Sequence, residues 1–191
     1  MVTKPSTLQE IEHYIHDCVA CPLAAGRLTA VPGDGDPSSD ILFIGEGPGK
    51  KEDETGHPFV GASGKFLDEM LASIKKKRAD VFVTNVVKCR PPENRDPEPG
   101  EISTCTDLFL WKQIELIQPK LICTLGRHSM SLFFPPTMKI SQLHGQPKRV
   151  KGFVVLPLYH PAAALYNGGM RQTLIRDFQK IPLVLKKIVS A

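Results

Sequence analysis

The chain has 191 residues, is 41% apolar and carries 24 Lys and Arg against 20 Asp and Glu, a net charge of +4. This predicts a single domain over residues 1–191 with a sizeable core; so small a charge excess permits an anionic partner but does not by itself indicate nucleic acid. No run of about 18 apolar residues is present, and Met1 to Glu12 is polar, so neither a membrane span nor a signal peptide is expected.

Taken in chain order, Leu8, Ile11 and Ile15 carry helical spacing and run into Cys18-Val19-Ala20-Cys21-Pro22. Ala30 to Ser39, with two prolines and two glycines, reads as a turn-rich loop. Ile41-Leu42-Phe43-Ile44 reads as a strand entering Gly45-Glu46-Gly47-Pro48-Gly49. Glu52 and Asp53 then read as solvated carboxylates at a helix start. In His57-Pro58-Phe59-Val60-Gly61 an aromatic ring lies in a turn, where it can serve as a core residue or as a stacking platform.

Ser63 can cap a helix through Phe66, Leu67, Met70, Leu71 and Ile74. Lys75 to Arg78 would close it as a solvated cationic end. Val81-Phe82-Val83-Thr84 is a second strand, entering Asn85. Lys88 to Gly100 holds four prolines and excludes regular structure. A helix over 102–118, a strand Leu121–Leu125, a short helix 127–133, a strand Phe153–Tyr159 entering His160-Pro161, and a helix over 170–188 complete the pattern. Alternating strands and helices predict an α/β fold, a three-layer αβα arrangement around a mainly parallel four-stranded sheet. The C-terminal strand ends would then lie along one edge, where such sheets bind ligands, and would bring Glu46, Asn85 and His160 into one crevice.

Five cysteines in a reducing compartment suggest metal or thiol chemistry rather than disulfides. Cys18 and Cys21 form C-x2-C, and Cys89 and Cys105 flank the proline-rich loop, a set that suits four-thiolate ligation. Zinc and a [4Fe–4S] cluster both accept four thiolates, and spacing does not choose between them. Either would pin a loop that has no ladder of hydrogen bonds to order it. Cys123 fits a buried strand and is not a ligand. Two glycine-rich motifs fail: a dinucleotide fingerprint would need glycine at Lys50, and a P-loop would need glycine at Phe59 and Ser or Thr at Phe66.

The combination resembles the family 4 uracil-DNA glycosylases. The resemblance is carried by Gly45-Glu46-Gly47-Pro48-Gly49, Gly56-His57-Pro58-Phe59-Val60-Gly61, Thr84-Asn85-Val86-Val87-Lys88-Cys89-Arg90-Pro91-Pro92, Asn94-Arg95-Asp96-Pro97 and His160-Pro161-Ala162-Ala163-Ala164-Leu165, in the family's order. It implies a [4Fe–4S] cluster on Cys18, Cys21, Cys89 and Cys105, and hydrolytic release of uracil from single- or double-stranded DNA, leaving an abasic site. Phe59 would stack on the extruded base, Asn85 read its polar edge, and His160 stabilise charge on the departing uracil. Glu46 would orient or deprotonate the water, with the Gly47 backbone beside it and Glu52 and Asp53 as alternatives. Lys88, Arg90 and Arg95 would meet phosphates, and Leu165 would enter the minor groove. A related branch binds DNA covalently through a histidine in an inserted loop; the segment between Arg90 and Cys105 has none, so no covalent trapping is expected. The expected protein is a cytoplasmic monomer associated with a prokaryotic nucleoid. A non-catalytic iron–sulfur protein that binds damaged DNA is the alternative.

Overall fold

The structure, a computed structural model, describes residues 5–190; the first four residues of the polar N-terminal stretch read above lie outside it. Thr7 caps α1 (Leu8–His16), its hydroxyl accepting from the Glu10 N–H at 3.2 Å, and Ile11 and Ile15 face inward. The chain continues through β1 (Asp34–Gly35), β2 (Ile41–Gly45), α2 (Lys50–Thr55), α3 (Ala62–Ser73) and β3 (Phe82–Asn85). Then come α4 (Pro99–Cys105), a π-helical stretch Thr106–Leu110, α5 (Trp111–Ile117), β4 (Leu121–Leu125), α6 (Arg127–Ser131) and α7 (Ile140–Leu143). β5 (Lys148–Val150), β6 (Phe153–Leu158), α8 (Ala163–Tyr166), α9 (Met170–Phe178) and α10 (Ile181–Val189) end it.

The sheet order is β1-β3-β2-β4-β6-β5. β3, β2, β4 and β6 are parallel neighbours, the four strands read from the sequence. The count rises to six because β1 and β5 add antiparallel edges of two and three residues, too short to show a period. β1 lies inside the segment read as a loop. A Cβ at Gly35 would stand 1.9 Å from the Val81 carbonyl oxygen, so this close edge pairing admits only glycine.

Every residue of β2 and β4 is buried, which explains their unbroken apolar runs: helices cover both faces. Leu42 and Ile44 pack on one side with Ile11, Ile15, Phe109 and Ile114. Ile41 and Phe43 pack on the other with Phe66, Leu67, Met70 and Phe178, the Phe43 and Phe178 rings stacked 5.2 Å apart.

Three helix boundaries differ from the sequence reading. The terminal helix is two, because Pro182 in the first turn of α10 lacks an N–H and its ring would collide with the Phe178 carbonyl of a continuous helix. The helix placed at 102–118 starts at Pro99 and passes through the π-helical stretch directly after Cys105. α3 is capped at Gly61, not Ser63, and ends before the basic run, leaving Arg78 to start a separate 3-10 turn. Among the described residues no helix is long and apolar enough to cross a membrane.

Candidate active site

β2 and β3 end side by side, with Gly45 registered opposite Asn85, and β6 brings His160 to the same edge two residues past its end. They open onto a cleft of about 360 Å³ lined by Glu46, Gly47, Phe59, Asn85, Arg95 and His160. Residues separated by more than a hundred positions thus share one cavity, as parallel strand ends require.

Phe59 occupies the α2–α3 connection with φ +55°, a left-handed conformation unusual for a bulky residue. Its neighbours hold it there. A Cβ at Gly64 would lie 1.7 Å from the Phe59 carbonyl oxygen, so only glycine lets α3 start this close. Arg78 donates to that same oxygen at 2.7 Å and pairs with Asp68 at 2.5 Å. Glu52 Oε1 accepts from the N–H groups of Val60 and Gly61 at 2.9 and 2.8 Å. Phe59 is 6% exposed and packs in the core, yet it also lines the cleft, its ring 5.6 Å from that of His160. Glu52 and Asp53, read as solvated, are instead buried. Glu52 ties down the Phe59 turn, and Asp53 accepts from the Leu28 N–H at 2.9 Å.

Asn85 is 1% exposed, and its Oδ1 has no hydrogen-bond partner. A buried acceptor left unpaired costs about 1–3 kcal/mol. Gly45 makes the position possible, because a Cβ there would stand 2.3 Å from Asn85 Oδ1 and 2.6 Å from Phe59 Cζ. The Asn85 carboxamide is therefore fixed beside the ring with an acceptor unsatisfied.

His160 Nδ1 accepts from the Ala162 N–H at 3.2 Å, which assigns the ring proton to Nε2. Burial pushes the His160 pKa down to about 4, a fall that the Glu52 carboxylate partly opposes. The imidazole is thus a neutral donor near pH 7. Burial raises the Glu46 pKa and Asp96 adds to the rise, while His128 and Arg127 work against it.

Cys18 and Cys21 lie in the turn after α1, Cys89 lies past β3, and Cys105 ends α4; all four line one small cavity. Arg27 braces it, donating to the Cys18 carbonyl at 2.8 Å and to Cys89 Sγ at 3.2 Å. Burial raises the Cys105 thiol pKa to about 11, so ligation there would require displacing its proton onto solvent or another base. Four thiolates around one zinc, with Zn–S near 2.3 Å, stand about 3.8 Å apart. Among the described residues the one group of three ligand-type atoms within 4.8 Å of one another contains no cysteine. The four cysteines thus share one cavity without forming a tight single-ion site among the described residues. Cys123 is buried in β4, apart from this cavity, and desolvation raises its pKa.

The residues expected to contact DNA divide. Arg95 lines the cleft while its guanidinium forks onto Glu101 at 2.9 and 2.7 Å. Arg90 bonds Asn94 at 2.9 Å and is partly exposed. Lys88 is a correction: it is 1% exposed, donating to Thr84 Oγ1 at 2.6 Å and the Asn85 carbonyl at 2.7 Å, so it cannot reach a phosphate. It borders the cysteine cavity, where thiolates would balance its charge. Leu165 is 50% exposed on α8; its neighbour Tyr166, 92% exposed, is the one that lines the cleft. Sequence reasoning missed Tyr166, the close-approach role of Gly45, and the Glu52 and Arg78 braces. An exposed aromatic two turns after a strand-end histidine was the one signal available for Tyr166.

Over residues 32–181 the sequence matches the family described as the uracil DNA glycosylase superfamily, and the chain belongs to it. Its relatives place it with the type-4 members. It is 46% identical over 184 residues to the type-4 uracil-DNA glycosylase of Sulfurisphaera tokodaii, covering 92% of this chain and 83% of the relative. It is 47% identical over 183 residues to that of Saccharolobus solfataricus, covering 91% and 84%. Against the Thermotoga maritima enzyme it is 39% identical over 191 residues, covering 98% and 99%.

Proposed function

We propose that this chain hydrolyses the N-glycosidic bond of uracil in DNA, releasing the free base and leaving an abasic site. The observation that carries the reading is the unpartnered Asn85 Oδ1 beside Phe59 and His160 in one cleft. A buried acceptor with no protein partner calls for a donor brought by the ligand, and uracil N3–H is such a donor. Cytosine presents a lone pair at that ring position, so the same carboxamide rejects it.

The target nucleotide must leave the duplex stack before it can enter, as enzymes acting on bases require. Phe59 stacks on the extruded uracil, an interaction of the kind worth about 1–3 kcal/mol per base. As the bond to C1′ breaks, positive charge develops on the sugar and negative charge on uracil. His160 Nε2–H hydrogen-bonds the uracil oxygen where that charge accumulates, a contact that strengthens toward the transition state. Water adds to C1′ and gives its proton to Glu46, with the Gly47 backbone alongside.

Cys18, Cys21, Cys89 and Cys105 hold a [4Fe–4S] cluster in this reading, supported by their shared cavity and by the likeness to type-4 enzymes. Its contribution is structural, fixing the segment that carries Arg90 and Arg95. Those two arginines meet phosphates, and Leu165 with Tyr166 fills the space left by the extruded base. The chain acts as one domain over residues 1–191 and as a monomer at the nucleoid, on single- or double-stranded DNA. A binder that leaves the glycosidic bond intact has no need of both Asn85 and His160 at one strand edge, and that alternative is not favoured.

The test is incubation with a uracil-containing oligonucleotide followed by alkali. Strand breaks at the uracil are expected; intact strands with DNA binding retained would refute hydrolysis.

A further inference from the structure

A charged cluster at the mouth of the cleft stands apart from the groups that hold the base. His128, on α6, places Nε2 3.7 Å from Glu46 Oε2 and 3.3 Å from Asp96 Oδ1. Its side chain is 16% exposed, while that of Asp96, in the proline-rich loop, is 58% exposed. While the ring is neutral, Arg127 Nε donates to His128 Nε2 at 3.1 Å; once the ring is protonated, Nε2–H can face only the Asp96 and Glu46 carboxylates, and the Arg127 guanidinium also pairs with Asp96. The three ligand-type atoms fall within 4.8 Å of one another, yet Arg127 already neutralises Asp96, which disfavours a divalent cation there.

We propose that His128, held between Asp96 and Arg127, is a positioning residue that aims Glu46 and keeps it ionised for its work on the attacking water. This rests on the glycosylase reading above. Glu46 has no backbone hydrogen bond to its carboxylate among the described contacts, so nothing else on its own loop fixes the group. His128 is the nearest cation-capable side chain, and it reaches Glu46 from a different element. The charged groups facing Glu46 are His128 and Arg127 from α6 and Asp96 from the proline-rich loop. Arg95 and Glu52 share the cleft but are committed, Arg95 to Glu101 and Glu52 to the N–H groups of Val60 and Gly61.

The three neighbours act with opposite signs. His128 and Arg127 favour the Glu46 carboxylate, whereas Asp96 favours its protonated form. Activity that needs ionised Glu46 falls as pH drops through the Glu46 pKa, giving the acid limb of a pH–rate profile.

The experiment measures kcat/KM against pH on a uracil oligonucleotide for His128→Gln, Arg127→Gln, Asp96→Asn and Glu46→Gln. Removing a favourable charge a few ångströms away moves a carboxylate by about one pH unit. His128→Gln and Arg127→Gln should therefore move the acid limb upward, Asp96→Asn should move it downward, and Glu46→Gln should abolish it with most of the rate. Thermal melting of each variant checks folding, and the exposed Arg127 and Asp96 sites supply the sign test if His128→Gln does not fold. Shifts in one common direction, or an unmoved limb in the first three variants while Glu46→Gln removes it, would overturn the positioning role alone. A Glu46→Gln protein with full rate and an intact limb would overturn the assignment of Glu46 and this proposal with it.

Discussion

Replacing Asn85 with leucine should stabilise this protein while abolishing its activity. Leucine has the same branched outline as asparagine, so the substitution swaps two polar atoms for methyl groups at nearly constant shape. In the free protein Asn85 Oδ1 is buried without a partner, a defect costing about 1–3 kcal/mol. Relieving it in a chain of this length corresponds to a melting-temperature rise of roughly 2–12 °C, taking about 2–4 °C per kcal/mol. The same change removes the acceptor that uracil N3–H would engage. The loss expected from one such oriented group is about 10²–10³ in turnover. Thermal melting without DNA, together with single-turnover excision, measures both effects on one protein. A variant that melts lower by several degrees would refute the reasoning, because it would mean that Oδ1 has a partner in the free protein.

His160→Ala should cut turnover by about 10²-fold or more while DNA affinity changes little, since the imidazole acts as negative charge develops; equal losses in both would reduce it to a binding group. Because the folded His160 pKa is depressed to about 4 from an ordinary 6.5, the unfolded chain takes up the proton first. Its contribution to stability is full above pH 6.5 and is lost as pH falls toward 4, so His160→Gln should flatten the stability–pH curve in that window. Cys89→Ser should lower iron content per chain and make the segment between Arg90 and Cys105 sensitive to protease; unchanged iron and protection would remove Cys89 from the ligand set. Lys88→Met should lower iron content without changing the salt dependence of DNA binding, whereas a shallower salt slope would restore it as a phosphate contact.

The four central strands were legible because burial on both faces leaves them as unbroken apolar runs, and their polar ends marked the edge where the cleft opens. The two outer strands were not, since Asp34-Gly35 and Lys148-Arg149-Val150 are short, polar and defined only by their partners. Lys88 misled for a related reason. A lysine next to two arginine-bearing motifs reads as surface charge, and only the folded chain brings Thr84 Oγ1 and the Asn85 carbonyl onto its ammonium. His128 and Asp96 are separated by 32 positions from each other, and neither carries a local pattern that points to Glu46. Gly45 was legible as part of a glycine-rich turn, but its need to admit both a carboxamide and a phenyl ring depends on side chains from two other elements.

Lys88 touches the Asn85 carbonyl with one hydrogen bond while bordering the sulfur-lined chamber. If Asn85 selects the base and Cys89 ligates a metal centre, both tasks are built into five consecutive residues and cannot be retuned separately. An attempt to redesign this protein for another nucleobase by remodelling residues 85–89 would also alter its capacity to retain iron, so metal content is the first quantity to monitor in such variants.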